Sequence, residues 1–211
     1  MGNDTIYILI FSTFQWLALL LAIITFKKYK NTPEGVFLYF LIYAVAITEL
    51  SAFTLGYYGI SSYFIYNIYT LVSIILIHYW FYKIIQNSRI VVTISLVIFI
   101  CVFIYMFSYN TFFTEGWYLP MIVGSISTAV FSGIYFIQLI LKDTELKIIK
   151  TQRFWIIVGL LIFNLGIVPV LIFQEQLQTA PTIFNFIIVS LNIILYGCFI
   201  VSFLSLYRKK K

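Results

Sequence analysis

The chain has 211 residues, of which 63% are hydrophobic and 9% charged, with a formal charge of +6 and a mean hydropathy of +1.04. A soluble domain usually carries about 25% charged residues, so this composition excludes one. The positive balance does not point to nucleic acid, because the basic residues stand at the ends of apolar runs and form no patch. Contact with anionic headgroups, worth about 1 kcal/mol per basic residue near the surface, is the simpler role.

Seven apolar runs predict an all-α membrane protein, a single seven-helix transmembrane domain over 1–211. The spans read as 6–26, 36–56, 63–85, 90–108, 117–141, 154–173 and 183–207. Each is near the ~20 residues that cross ~30 Å of hydrocarbon. The first run follows Met-Gly-Asn-Asp-Thr, an acidic leader with the lysines after the run, so it reads as a retained helix and not a cleaved signal. Thr32-Pro33-Glu34 reads as N-cap, first-turn proline and a carboxylate at the positive helix end. Pro181-Thr182 opens the last span in a similar way.

On these spans all thirteen basic residues fall on one side. Lys27, Lys28 and Lys30 follow the first span, and Lys83 and Arg89 flank the turn after the third. Lys142, Lys147, Lys150 and Arg153 follow the fifth, and Arg208 to Lys211 close the sequence. Basic short loops stay cytoplasmic, so the N-terminus is expected outside and the C-terminus inside, in a bacterial inner membrane. The loops are too short for a soluble output domain, and any signal would pass to a separate protein. The outer margin carries Tyr57, Tyr58, Tyr63, Tyr66, Tyr109, Trp117 and Tyr118, as expected of an aromatic belt. Helices one to three and five to seven share similar openings (Tyr66-Asn67 beside Phe184-Asn185), compatible with a 3+1+3 arrangement.

Polar residues inside the spans are the candidate site: Glu49, Asn67, His78, Asn164, Asn185 and Asn192. Glu49 is the acid placed deepest, about 10 Å below the outer surface by helical rise. Such residues face the bundle interior or a water-filled cavity, and Asn67 enters at similar depth as its expected partner. His78 follows on the inner half of the third helix, able to sense protons or to bond a neighbouring helix. Asn185, Asn192 and Tyr196 form one stripe of the seventh helix. Gly159, Asn164 and Gly166, with a kink expected at Pro169, mark the sixth. Ser125, Ala129 and Gly133 on the fifth predict close helix approach. Cys101 and Cys198 read as small packing residues. No metal site, no cofactor and no catalytic pair is expected. One deep carboxylate cannot support aspartyl chemistry, no Gly-x-Ser-x-Gly elbow occurs, and with every lysine at a helix end no retinal can be held.

The strings Tyr39-Phe40 through Glu49, Ile65-Tyr66-Asn67-Ile68-Tyr69, Phe154-Trp155 with Gly159, and Leu191-Asn192-Ile193 resemble small seven-helix proteins widespread in bacteria of the Bacteroidetes group. The likeness implies an inner-membrane location and association with separate signalling proteins, and it transfers no residue roles. The topology is also similar to SWEET-type sugar transporters and microbial opsins, but the proline-glutamine signature of the former and the lysine of the latter are missing. The expected function is a non-enzymatic sensor or accessory subunit in the lipid bilayer, binding a small ligand or partner in its outer half. A proton-coupled carrier using Glu49 is the alternative. A lipid-modifying enzyme resembling the lysoplasmalogenases is a weaker one, since a second acid is missing.

Overall fold

The computed structural model describes residues 3–85, 89–109, 111–140 and 151–208. These are helical, with no strand among them. Seven helices are long and apolar enough to cross a membrane, so the chain is a multi-pass membrane protein in its architecture. In chain order they are α1 (Asn3–Tyr29), α2 (Pro33–Tyr57), α3 (Tyr63–Ile84), α4 (Arg89–Phe107), α5 (Tyr118–Ile140), α6 (Gln152–Ile172) and α7 (Pro181–Arg208). A one-turn helix, Gln174–Gln178, joins the last two.

Short connections force neighbouring helices to run antiparallel, and each packs on the next around a ring that α7 closes against α1. The α6–α7 and α1–α7 contacts are the most extensive, and α3 also reaches α5 across α4. Helix α4 is left at the rim, with Ile90, Ile94, Val97, Ile98 and Ile104 half or more exposed. In lipid those side chains are matched to their surroundings, so exposure there is no defect.

Two glycines explain the tight α6–α7 seam. A Cβ at Gly159 would stand 2.8 Å from Cys198 Cβ and 3.3 Å from the Leu195 carbonyl oxygen, and one at Gly166 would meet the end of the Leu191 side chain. Without side chains at these positions the two backbones close together, the usual device where helices pack in lipid. The expected stripe on α5 acts differently. Gly124, not Gly133, makes the close approach, with Ile74 of α3 in its space, while Gly133 faces nothing within 4 Å.

Lys28, Lys30, Lys83, Arg89 and Arg153 share one end of the ring, here the basic end. Lys28 lies over the Tyr207 ring, joining the ends of α1 and α7. Arg153 Nε donates to Glu34 Oε1 at 2.5 Å, joining the starts of α6 and α2. Lys142, Lys147, Lys150 and Lys209 to Lys211 lie outside the described residues. The half of the bundle next to this end is filled by rings, with Phe37 against Trp80 at 4.9 Å and against Phe199 at 5.5 Å. The expected cap at Thr32 is not formed. Its hydroxyl donates back to the Tyr29 carbonyl, and Glu34 is taken up by Arg153.

The largest departure from expectation lies within α2. It opens as a 3₁₀ turn, Pro33–Gly35, continues as α-helix, widens into a π-helix over Ile42–Glu49, and returns to α-helix over Leu50–Tyr57. The Thr48 hydroxyl donates to the Tyr43 carbonyl five residues back, the spacing of the wider coil. A π segment changes the facing of every residue after it and is frequent at functional sites. This one ends at Glu49.

Candidate functional site

Glu49 is half-buried and lies between α1, α3 and α7. Helical rise of ~1.5 Å per residue puts Gln15 about 21 Å along α1 from Tyr29, and Glu49 about 24 Å along α2 from Pro33. The antiparallel pair therefore meets at one depth. Gln15 is 3% exposed. Its Nε2 donates to the Tyr196 hydroxyl at 3.2 Å, and its side chain is a neighbour of Glu49. The hydroxyls of Tyr66, Tyr69 and Tyr196 lie within electrostatic reach of the carboxyl. Tyr43, within the π segment, stacks on Tyr69 at 6.4 Å and 11°. One acceptor in this cluster is unanswered. Gln15 Oε1 is buried and has no hydrogen-bond partner among the described residues.

Beyond Tyr69, toward α5 and α6, a small cavity of about 70 Å³ opens between Tyr69, Ser73, Ser125 and Asn164 on its polar side and Phe40, Leu160 and Leu195 on the other. The Ser73 hydroxyl donates to the Tyr69 carbonyl. The space is large enough for a few waters, though its lining is mainly apolar and Ser73 and Asn164 already donate to carbonyls of their own helices. Asn164 donates Nδ2 to the Leu160 carbonyl one turn back at 2.7 Å.

The other expected residues serve elsewhere. Asn67 is not the partner of Glu49; its amide is engaged with the loop between α4 and α5. Nδ2 donates to the Phe112 and Glu115 carbonyls, both at 2.9 Å, and Oδ1 accepts from the Trp117 amide at 2.9 Å. Trp117 is correspondingly a core residue, 3% exposed and packed on Phe103, Phe107 and Phe112, in contrast to the exposed Tyr57, Tyr58 and Tyr109 of the expected belt. His78 is fully buried. Its Nδ1 meets the Ile74 carbonyl at 2.9 Å, and Nε2 meets the hydroxyls of Ser95 at 3.2 Å and Ser127 at 3.3 Å. A carbonyl only accepts, so the ring holds its proton on Nδ1, and it ties α3 to α4 and α5. Asn192 donates to the Ile188 carbonyl on its own helix, and Asn185 sits half-buried near the opposite end from the basic residues. Among the described residues, no three His, Cys, Asp or Glu side chains gather as a metal site.

Gln15, Tyr43 and Tyr69 are absent from the expected set. Gln15 had a signal, being an amide in an otherwise apolar run whose distance from the basic end matches that of Glu49. The tyrosines had none, because in a run rich in aromatics only the π segment turns Tyr43 onto Tyr69. Set against known protein families, curated proteins and solved structures, the chain matches none.

Proposed function

We propose that this chain is an inner-membrane sensor or accessory subunit, N-terminus outside and C-terminus inside, which binds a small donor-bearing ligand at Glu49 and relays the change to a separate cytoplasmic protein. The reading rests on one observation above all. A half-buried carboxylate and a buried, unpartnered Gln15 oxygen stand together with tyrosine rings around them. A group bringing N–H or O–H bonds and positive charge would meet both the carboxylate and that oxygen. An ammonium-type cation is such a group, with the carboxylate as counter-ion and the tyrosine faces as cation–π partners.

Relay would run along α2, which carries the Glu34–Arg153 pair at its start and Glu49 about two turns before its far end, with the π segment leading up to Glu49. A π turn can revert to α-helix and rotate one end against the other. The test is a spin-label distance between the ends of α2 and α6 at the basic end, in lipid nanodiscs, with and without a panel of small amines. A change in the wild type that Glu49→Gln abolishes supports the reading. Identical distances throughout, together with recovery of the chain alone after crosslinking in native membranes, would remove it.

A proton-coupled carrier is the second reading, favoured by the cavity that continues from Tyr69 to Asn164. There the missing donor is a proton on Glu49 itself. Equal uptake by liposomes holding wild type and Glu49→Gln would exclude it.

A further inference from the structure

A second polar site lies at the opposite end of α2 from Glu49. A cavity of about 740 Å³ opens at the basic end, lined by Lys28, Thr32, Glu34, Tyr135, Gln152 and Arg153 among others. Both α2 and α6 begin here, so two helix N-termini border it, that of α6 with its Phe154 amide already capped by the Thr151 hydroxyl. Such ends attract anions. Gln152 adds an independent sign. It is 7% exposed, and its Nε2 has no hydrogen-bond partner among the described residues. A buried donor without an acceptor is costly, and an anionic oxygen in the cavity would answer it.

The charges fix what kind of anion fits. Among the described lining residues, Lys28 and Arg153 against Glu34 leave one positive charge. Glu34 already takes Arg153 Nε, but a guanidinium presents five N–H donors in a fork, so the same arginine can hold a second acceptor. A singly charged phosphodiester neutralises the site, whereas a phosphomonoester dianion would overshoot it. The setting favours a membrane source. The cavity lies where α1, α2, α6 and α7 reach their basic ends, is bordered by Leu206 and Tyr29, and gives more room than a lone phosphate ion fills.

We infer that this cavity binds the phosphodiester headgroup of an anionic phospholipid, with Lys28 at the rim and Arg153 and Gln152 at the base. The site is separate from the Glu49 cluster and stands or falls apart from it.

The test is native mass spectrometry of the full chain, released from micelles containing equal phosphatidylglycerol and phosphatidylcholine. Binding predicts a retained phosphatidylglycerol adduct in preference to phosphatidylcholine. Lys28→Gln, at an exposed position, should weaken it about fivefold, the effect of one basic residue near a charged headgroup. Lys83→Gln, at the same end but outside the cavity, should leave it unchanged. Displacement by soluble glycerophosphoglycerol would keep the phosphodiester site and assign it a water-borne ligand. Equal retention of both lipids, or equal loss in Lys28→Gln and Lys83→Gln, would overturn the proposal.

Discussion

Two polar clusters on the same side of the aromatic core have opposite character. Around Asn67 every amide atom is matched: two donors meet two carbonyls and the oxygen accepts a backbone N–H. Around Glu49 the matching is incomplete, since Gln15 donates to Tyr196 and approaches Glu49 while its own oxygen has no partner among the described residues. A closed network rigidifies and locates structure, and an open one costs stability that only a ligand, a proton or a change of shape recovers. The first cluster anchors a loop. The second stands beside the one π segment among the described residues, and its incompleteness is the reason to look for function there.

The comparison breaks most readily at Asn67. Replacing it with Leu removes three hydrogen bonds at the ~0.6 kcal/mol average measured between membrane helices, so unfolding should become easier by about 2 kcal/mol. The response at Glu49 should survive in the fraction that folds. Reversible unfolding in bicelles measures this, and an unchanged stability would mean that the loop is not held by Asn67. His78→Leu should follow with a loss of about 1 kcal/mol, from the two interhelical contacts with Ser95 and Ser127. A loss of ligand response in His78→Leu with unchanged stability would move His78 from the anchoring class to the functional one.

The seven apolar helices were legible in the sequence, because hydropathy depends on composition summed over ~20 residues and needs no knowledge of neighbours. The expected 63–85 and 90–108 match Tyr63–Ile84 and Arg89–Phe107, and the expected 36–56 lies inside Pro33–Tyr57. The sequence could not say which face of each helix turns inward. A helix apolar all round gives no periodic stripe, so Trp117 passed for a belt residue although it is buried, and Asn67 was paired with the wrong group. The π segment was illegible for a similar reason. Ile42 to Glu49 contains no proline or glycine to mark the change, and the segment packs against α1 and α3. Glu49 itself was legible because a carboxylate within an apolar run is rare in any bundle.

Glu49→Gln sharpens the contrast from the other side. The amide keeps the shape and one acceptor oxygen of the carboxylate, exchanges the other for an NH₂ donor and removes the charge, so stability should move by no more than about 0.5 kcal/mol. The response to amines should vanish. A large destabilisation with an intact response would place Glu49 with Asn67 as an anchor.

The smallest expected change in stability is the most diagnostic. Gln15→Met keeps the volume and removes both the donor to Tyr196 and the unpartnered oxygen. A lost hydrogen bond costs about 0.6 kcal/mol, and removing a buried unsatisfied acceptor recovers about 1 kcal/mol. The two effects oppose one another, and the net should lie near zero. Function should not be spared, because the α1 amide beside Glu49 is gone. A double-mutant cycle between Gln15→Met and Glu49→Gln separates the cases. Coupling in ligand response with none in stability fits an open site held ready for a donor. Coupling in stability alone would show that Gln15 and Glu49 form a closed structural pair, as Asn67 does with its loop, and the distinction between the two clusters would disappear.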